Sequence, residues 1–180
     1  VELPLLRVLA AMELAGISID VVYLNDLSKV LQKEAAALEQ RIFEQAGENF
    51  NLASPKQLGP ILFDKLKLVD KPKKTKTGQY STAEEVLSTL AKDHPIVSDI
   101  LEWRRVQKLN NTYVAALPKD VNSNTNRVHT VYNQAVAATG RLSSNHPNLQ
   151  NIPIRTPRGR QVRKAFVAKD SQHVLMAADY

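Results

Sequence analysis

Between residues 3 and 117 the apolar side chains recur at helical spacing, and after Pro118 they do not. Such a change of period limits the fold to a helical part followed by a sheet-forming part, because apolar residues 3.6 apart and 2 apart suit different elements. Residues 3–15 are mostly apolar helix formers, and Gly16 is a natural stop. Asp20 can cap a long helix whose Leu24, Leu27, Leu31, Leu38 and Ile42 fall on one stripe, with Gly47 beyond it. Ser54 and Pro55 form a cap and first-turn pair, opening a helix to about Leu66 with Leu58, Ile61 and Leu62 inward. Residues 70–80, DKPKKTKTGQY, carry four lysines against one aspartate and are expected as a mobile loop. Ser81 and Glu84 predict a capping box for a helix ending near Asp93, and Pro95 opens another running to about Leu117.

Past Pro118 a polar turn, KDVNSNTN, leads into RVHTVYNQAVAAT, rich in the β-branched and aromatic residues that strands favour. Residues 164–168 and 173–179 are two further strand candidates. The fold class is therefore α+β, with a boundary near residue 120: a helical domain over 1–120 with a basic tip near 70–82, then the first strands of a sheet over 121–180. The chain opens inside an apolar helix-like segment and stops at LMAADY, which points to a piece of a longer protein.

Charge sharpens the division. Residues 121–169 contain no Asp or Glu but hold Arg127, Arg141, Arg155, Arg158, Arg160, Arg163, Lys164 and Lys169; these eight positive charges leave −2 on the rest of a chain whose net charge is +6. A local basic surface suits a polyanion, since neutralising phosphates releases counterions, although a solvated basic face would read the same way. With no cysteine, a disulfide framework, a thiolate metal site and a cysteine nucleophile are excluded. The four histidines lack metal-ligand spacing, and Ser143 or Ser144 near His146 is not a credible nucleophile pair. No apolar run approaches the roughly 20 residues that span a bilayer. A monomer without membrane contact, in a reducing cytoplasm, is expected.

Residues 139–155, TGRLSSNHPNLQNIPIR, fit no amphipathic period. Read alone, they form an extended segment held by side chain to backbone hydrogen bonds, a surface loop in the plainest reading. Their amides and guanidinium groups are also those that bond base edges and phosphates. In the minor groove every base pair offers acceptors at nearly equivalent places, so donors there can check pairing geometry without reading sequence.

This 17-residue run resembles the primer-template binding motif of family A DNA polymerases, the bacterial DNA polymerase I family, whose pattern is close to TGRLSS, a spacer, then PNLQNIP and a basic residue. The likeness implies that Arg141 contacts the minor groove at the primer terminus. Asn148, Gln150 and Asn151 would position template and primer, and Arg155 would lie near nucleotide phosphates or template. His146 departs from the acidic residue common before the proline. AADY is similar to the start of the family's first catalytic motif, which makes Asp179 a catalytic residue and a Mg²⁺ ligand. Two Mg²⁺ ions would serve the full enzyme, with further ligands outside this fragment, and none is expected on the fragment alone.

The phrases AGISID, NLASPKQLGPILF, STAEEVL, HPIV and KLNNTY extend the resemblance over essentially the whole chain. It implies a partial polymerase fold, a helical thumb over 1–120 followed by the beginning of an antiparallel palm sheet. Lys73, Lys74 and Lys76 at the tip, with Ser81 and Thr82 at a helix N-terminus, would meet phosphates. Arg104, Lys108, Asn111 and Thr112 match positions that line the primer strand. Asn110 stands where a basic residue is frequent, while Trp103 and Tyr113 read as core or interface aromatics. The partners implied are primer-template DNA and deoxynucleoside triphosphates, and the activity is template-directed DNA synthesis in replication or repair, with the fragment inactive by itself. Two other readings stay open: a non-catalytic basic nucleic-acid-binding module, and a helical scaffold for protein partners.

Overall fold

The computed structural model describes residues 2–176. The chain divides into two compact units, one made of residues 1–29 with 109–180 and the other of residues 30–108. The divisions fall inside two long helices, α2 (Val21–Ala46) and α5 (Pro95–Leu109).

In the first unit, α1 (Glu2–Ala15) ends at Gly16, whose φ of 61° is left-handed. A Cβ there would lie 2.7 Å from the Val128 carbonyl oxygen, so both conformation and space call for glycine. The chain then forms β1 (Ser18–Ile19) and enters α2 where the Asp20 carboxylate accepts the Tyr23 N–H at 2.8 Å, as the capping pattern predicts. Beyond α5 the helix widens into a π turn at Asn110–Val114, and a 3-10 turn at Leu117–Asp120 follows. Short antiparallel pairs come next: β2 (Val121–Asn122) with β3 (Arg127–Val128), and β4 (Val131–Asn133) with β5 (Ser143–Asn145). Then α6 (Pro157–Arg163) leads to β6 (Phe166–Val167), which pairs with β1. The core of this unit includes Leu9, Leu24, Leu117, Val128, Ile152, Val162 and Ala165.

The expected strands are there but short, since the run after Arg127 leaves strand geometry at Gln134. Residues 173–176 form no strand, and the rest of that candidate lies outside the described residues. The helix α6 did not emerge from the periodicity.

The second unit buries Leu31, Leu38, Ile42, Leu58, Leu62, Leu87, Val97, Ile100 and Val106, so the expected stripe of α2 does face a core. Pro55 opens α3 (Pro55–Pro60), which continues through a π turn at Ile61–Lys65. Buried Asp99 on α5 accepts from Arg41 and, at 2.8 Å, from Gln45, tying α5 to α2. The helix α4 (Glu84–Leu90) does not have its predicted capping box: Ala83 is the cap residue, and no side chain caps it. Of the two residues meant to form the box, Ser81 gives its N–H to the Lys73 carbonyl at 2.8 Å, and the Glu84 carboxylate lies 3.8 Å from the Arg105 guanidinium. The 70–80 segment, expected as a mobile loop, closes into a hydrogen-bonded turn in which Lys74 bridges to Tyr80. Tyr80 lies 5.3 Å from the Phe63 ring and donates its hydroxyl to Asp64 at 2.5 Å.

Candidate nucleic-acid interface

The 139–155 segment has little regular structure beyond β5, so its shape depends on side chains bonding its backbone. Ser144, buried on β5, accepts the N–H groups of Leu149 at 3.0 Å and Gln150 at 3.2 Å through its hydroxyl oxygen. The Asn148 side-chain oxygen accepts the N–H groups of Gln150 and Asn151, both at 3.1 Å, an Asx turn. Gln150 reaches back with its side-chain N–H to the Leu142 carbonyl at 2.6 Å, joining the TGRLSS half to the PNLQNIP half. Buried Thr130 supports the turn between them, its hydroxyl lying 2.7 Å from the Pro147 carbonyl and 3.0 Å from that of Asn145. At the apex His146 has a φ of 54°, a conformation His adopts more readily than most residues.

Two consecutive carbonyls past the Asx turn are held from outside the segment. The Tyr113 hydroxyl donates to the Asn151 carbonyl at 2.6 Å, and an Arg163 Nη2 donates to that of Ile152 at 3.1 Å. The Thr156 hydroxyl then caps α6 by accepting the Gly159 N–H at 3.1 Å. The side chains of Arg141, Asn151 and Arg155 are exposed. Among the described residues, no hydrogen bond or ion pair engages the guanidinium groups of Arg141 and Arg155. A pre-formed loop carrying undedicated cations is what a polyanion surface requires, since few side chains must be immobilised on binding.

The candidate residues thus divide between the units. Arg141, Asn148, Gln150, Asn151, Arg155, Asn111 and Thr112 belong to the first, where Asn111 and Thr112 are exposed on the same π turn as Tyr113. Asn148 and Gln150 each have one side-chain atom committed inside the loop. Lys73, Lys74, Lys76, Ser81, Thr82, Arg104 and Lys108 belong to the second. There Lys73 pairs with Glu85 at 3.3 Å, Lys74 sits 5.2 Å from the Tyr80 ring centre, and Lys76 and Lys108 are exposed. Arg104 donates to the Thr82 carbonyl at 2.5 Å and to its hydroxyl at 3.2 Å. Burial lowers the pKa of that guanidinium from its usual value, against the opposing charge of Glu84.

Three features escaped the sequence reading. Tyr113 is buried as expected of a core aromatic, yet its hydroxyl serves the loop. Thr130 and Ser144 are buried hydroxyls that shape it. Asn110 is buried and accepts the Ser28 hydroxyl at 2.8 Å. Asp179 lies outside the described residues, among which no three His, Asp or Glu side chains gather as a metal site would require.

The family model for DNA polymerase family A matches residues 21–180. DNA polymerase I of Synechocystis sp. is 55% identical over 181 residues, covering 100% of this chain and 18% of its own length. The thermostable DNA polymerase I of Thermus caldophilus is 52% identical over 180 residues, covering 100% of this chain and 22% of its own. The chain therefore spans about a fifth of the length of these relatives. The solved POL domain of Pol1 from M. smegmatis, in complex with DNA primer-template and dNTP, superimposes with a TM-score of 0.82 at 45% identity, over 92% of this chain and 29% of that one.

Proposed function

This chain belongs to DNA polymerase family A, and we propose that it is the part of a DNA-directed DNA polymerase that grips the primer-template and supplies one catalytic carboxylate. Residues 1–120 act as the thumb and 121–180 as the beginning of the palm. The observation that carries the reading is the 139–155 loop. Its backbone is held by Ser144, Asn148, Gln150 and Thr130 while Arg141 and Arg155 remain unengaged among the described residues. Primer-template DNA and deoxynucleoside triphosphates are the partners, and a monomer in the bacterial cytoplasm is the working form. No described helix is long and apolar enough to cross a membrane.

In this assignment Arg141 donates to minor-groove acceptors at the primer terminus, where every correct pair presents them alike. Asn148, Gln150 and Asn151 set the terminus against the template, and Arg155 neutralises phosphate. On the thumb, Lys73, Lys74, Lys76, Ser81, Lys108, Asn111 and Thr112 follow the duplex backbone, with Arg104 bracing Thr82. Asp179 is the carboxylate assigned to Mg²⁺. The ions, when bound, supply activation of the primer hydroxyl and stabilisation of the leaving pyrophosphate.

The test is Arg141→Ala in a full-length polymerase carrying this segment. Loss of a charge-assisted hydrogen bond costs about 1.5–3 kcal/mol, so the Kd for primer-template rises about ten- to a hundredfold. Unchanged affinity would remove the loop from the interface.

A further inference from the structure

Tyr113 sits in the π turn that carries Asn111 and Thr112, and its hydroxyl crosses 38 positions of sequence to the carbonyl of Asn151. We propose that Tyr113 is a positioning residue for primer-template binding: its hydroxyl holds Asn151, and with it the PNLQNIP loop, in register with the turn bearing Asn111 and Thr112. The inference rests on the loop being the primer-template interface, as proposed above.

The backbone around Asn151 is fixed from three directions. Its N–H is given to the Asn148 side chain at 3.1 Å, its carbonyl accepts from Tyr113 at 2.6 Å, and the next carbonyl accepts from Arg163 at 3.1 Å. With both flanking peptide planes held, the Cα–Cβ direction of Asn151 follows, and its carboxamide is exposed. Of the three bonds, only the one from Tyr113 reaches the π turn. That turn is itself anchored, since the Ala115 N–H bonds the Asn110 carbonyl at 2.8 Å, and Asn110, Tyr113 and Val114 are buried. Two surfaces expected to touch one strand thus share a hydrogen bond between a buried ring and a loop carbonyl. A phenol is protonated and a donor at neutral pH at its ordinary pKa, and burial raises that of Tyr113 further.

The test is a double-mutant cycle on primer-template Kd in a full-length polymerase carrying this segment, with Tyr113→Phe, Asn151→Ala and the pair. Phenylalanine keeps the ring and removes only the hydrogen bond, so Tyr113→Phe alone raises Kd about three- to tenfold. If Tyr113 acts through Asn151, the same change in the Asn151→Ala background adds less than about twofold, because coupled positions are not additive. Asp20→Ala is the control for a generally loosened unit: it removes the carboxylate that caps α2 by accepting the Tyr23 N–H at 2.8 Å, in the same unit but in none of the loop, the π turn and α6. It should leave Kd unchanged. Wild-type affinity in Tyr113→Phe, an undiminished effect in the Asn151→Ala background, or an equal effect of Asp20→Ala overturns the inference while leaving the interface intact. If Arg141→Ala and Asn151→Ala both bind like wild type, the interface reading itself fails and the inference falls with it.

Discussion

Gly159→Leu speeds amide exchange across α6 and the 139–155 loop about a hundredfold in a full-length polymerase, the equivalent of about 3 kcal/mol at the upper end of overpacking costs. A Cβ on residue 159 would lie 2.5 Å from the Pro153 carbonyl oxygen and 2.6 Å from the Pro153 Cβ, closer than such atoms approach. Neither side can yield cheaply. Gly159 is buried in a helix of seven residues whose cap is its own N–H on Thr156, and Pro153 follows two carbonyls pinned by Tyr113 and Arg163. Relief requires α6 to lift or the loop to shift, and either exposes amides that are now protected. Hydrogen exchange resolved by peptide measures it directly; unchanged protection over 139–163 would mean that the contact between α6 and Pro153 does not hold the loop.

Asp179→Asn slows nucleotide addition about a thousandfold while primer-template affinity stays near that of wild type. The substitution keeps the shape and removes the charge. Mg²⁺ prefers charged oxygen ligands, and the stabilisation it supplies to phosphoryl transfer amounts to several kcal/mol, about 4 of which correspond to a thousandfold in rate. Because the side chains proposed to grip DNA belong to residues other than 179, single-turnover incorporation and Kd should separate. A variant that still incorporates within about tenfold of wild type, less than one metal ligand should cost, would mean that Asp179 is not one.

Sequence patterns revealed elements that are long or locally determined. The cap at Asp20 and the stripe through Leu24, Leu31, Leu38 and Ile42 lie within one helix, so the rules for a single helix sufficed. The 139–155 run was legible as a segment held by side chains because Ser144, Asn148 and Gln150 bond backbone within eight residues of themselves. Distance in sequence defeated the rest. The Ser81 and Glu84 capping pattern lost to Lys73 and Arg105, neither of which a four-residue window contains. The seven residues of α6 bury only Gly159 and Val162, too few to establish a period, although Thr156–Pro157 carries the same cap-and-proline signal that marked Ser54–Pro55. Nothing local to Tyr113 announces a bond to Asn151. The role proposed for Asp179 rests on the resemblance of AADY to the family's motif.

The most direct test of the interface is photocrosslinking from a primer whose 3′-terminal nucleotide is photoreactive, bound to a full-length polymerase carrying this segment, with the attachment site mapped by peptide mass. Attachment within residues 139–155, centred on Arg141 and Asn151, is the predicted result. Attachment elsewhere in the protein, with none in that loop, would contradict the assignment of this segment as the primer-template grip.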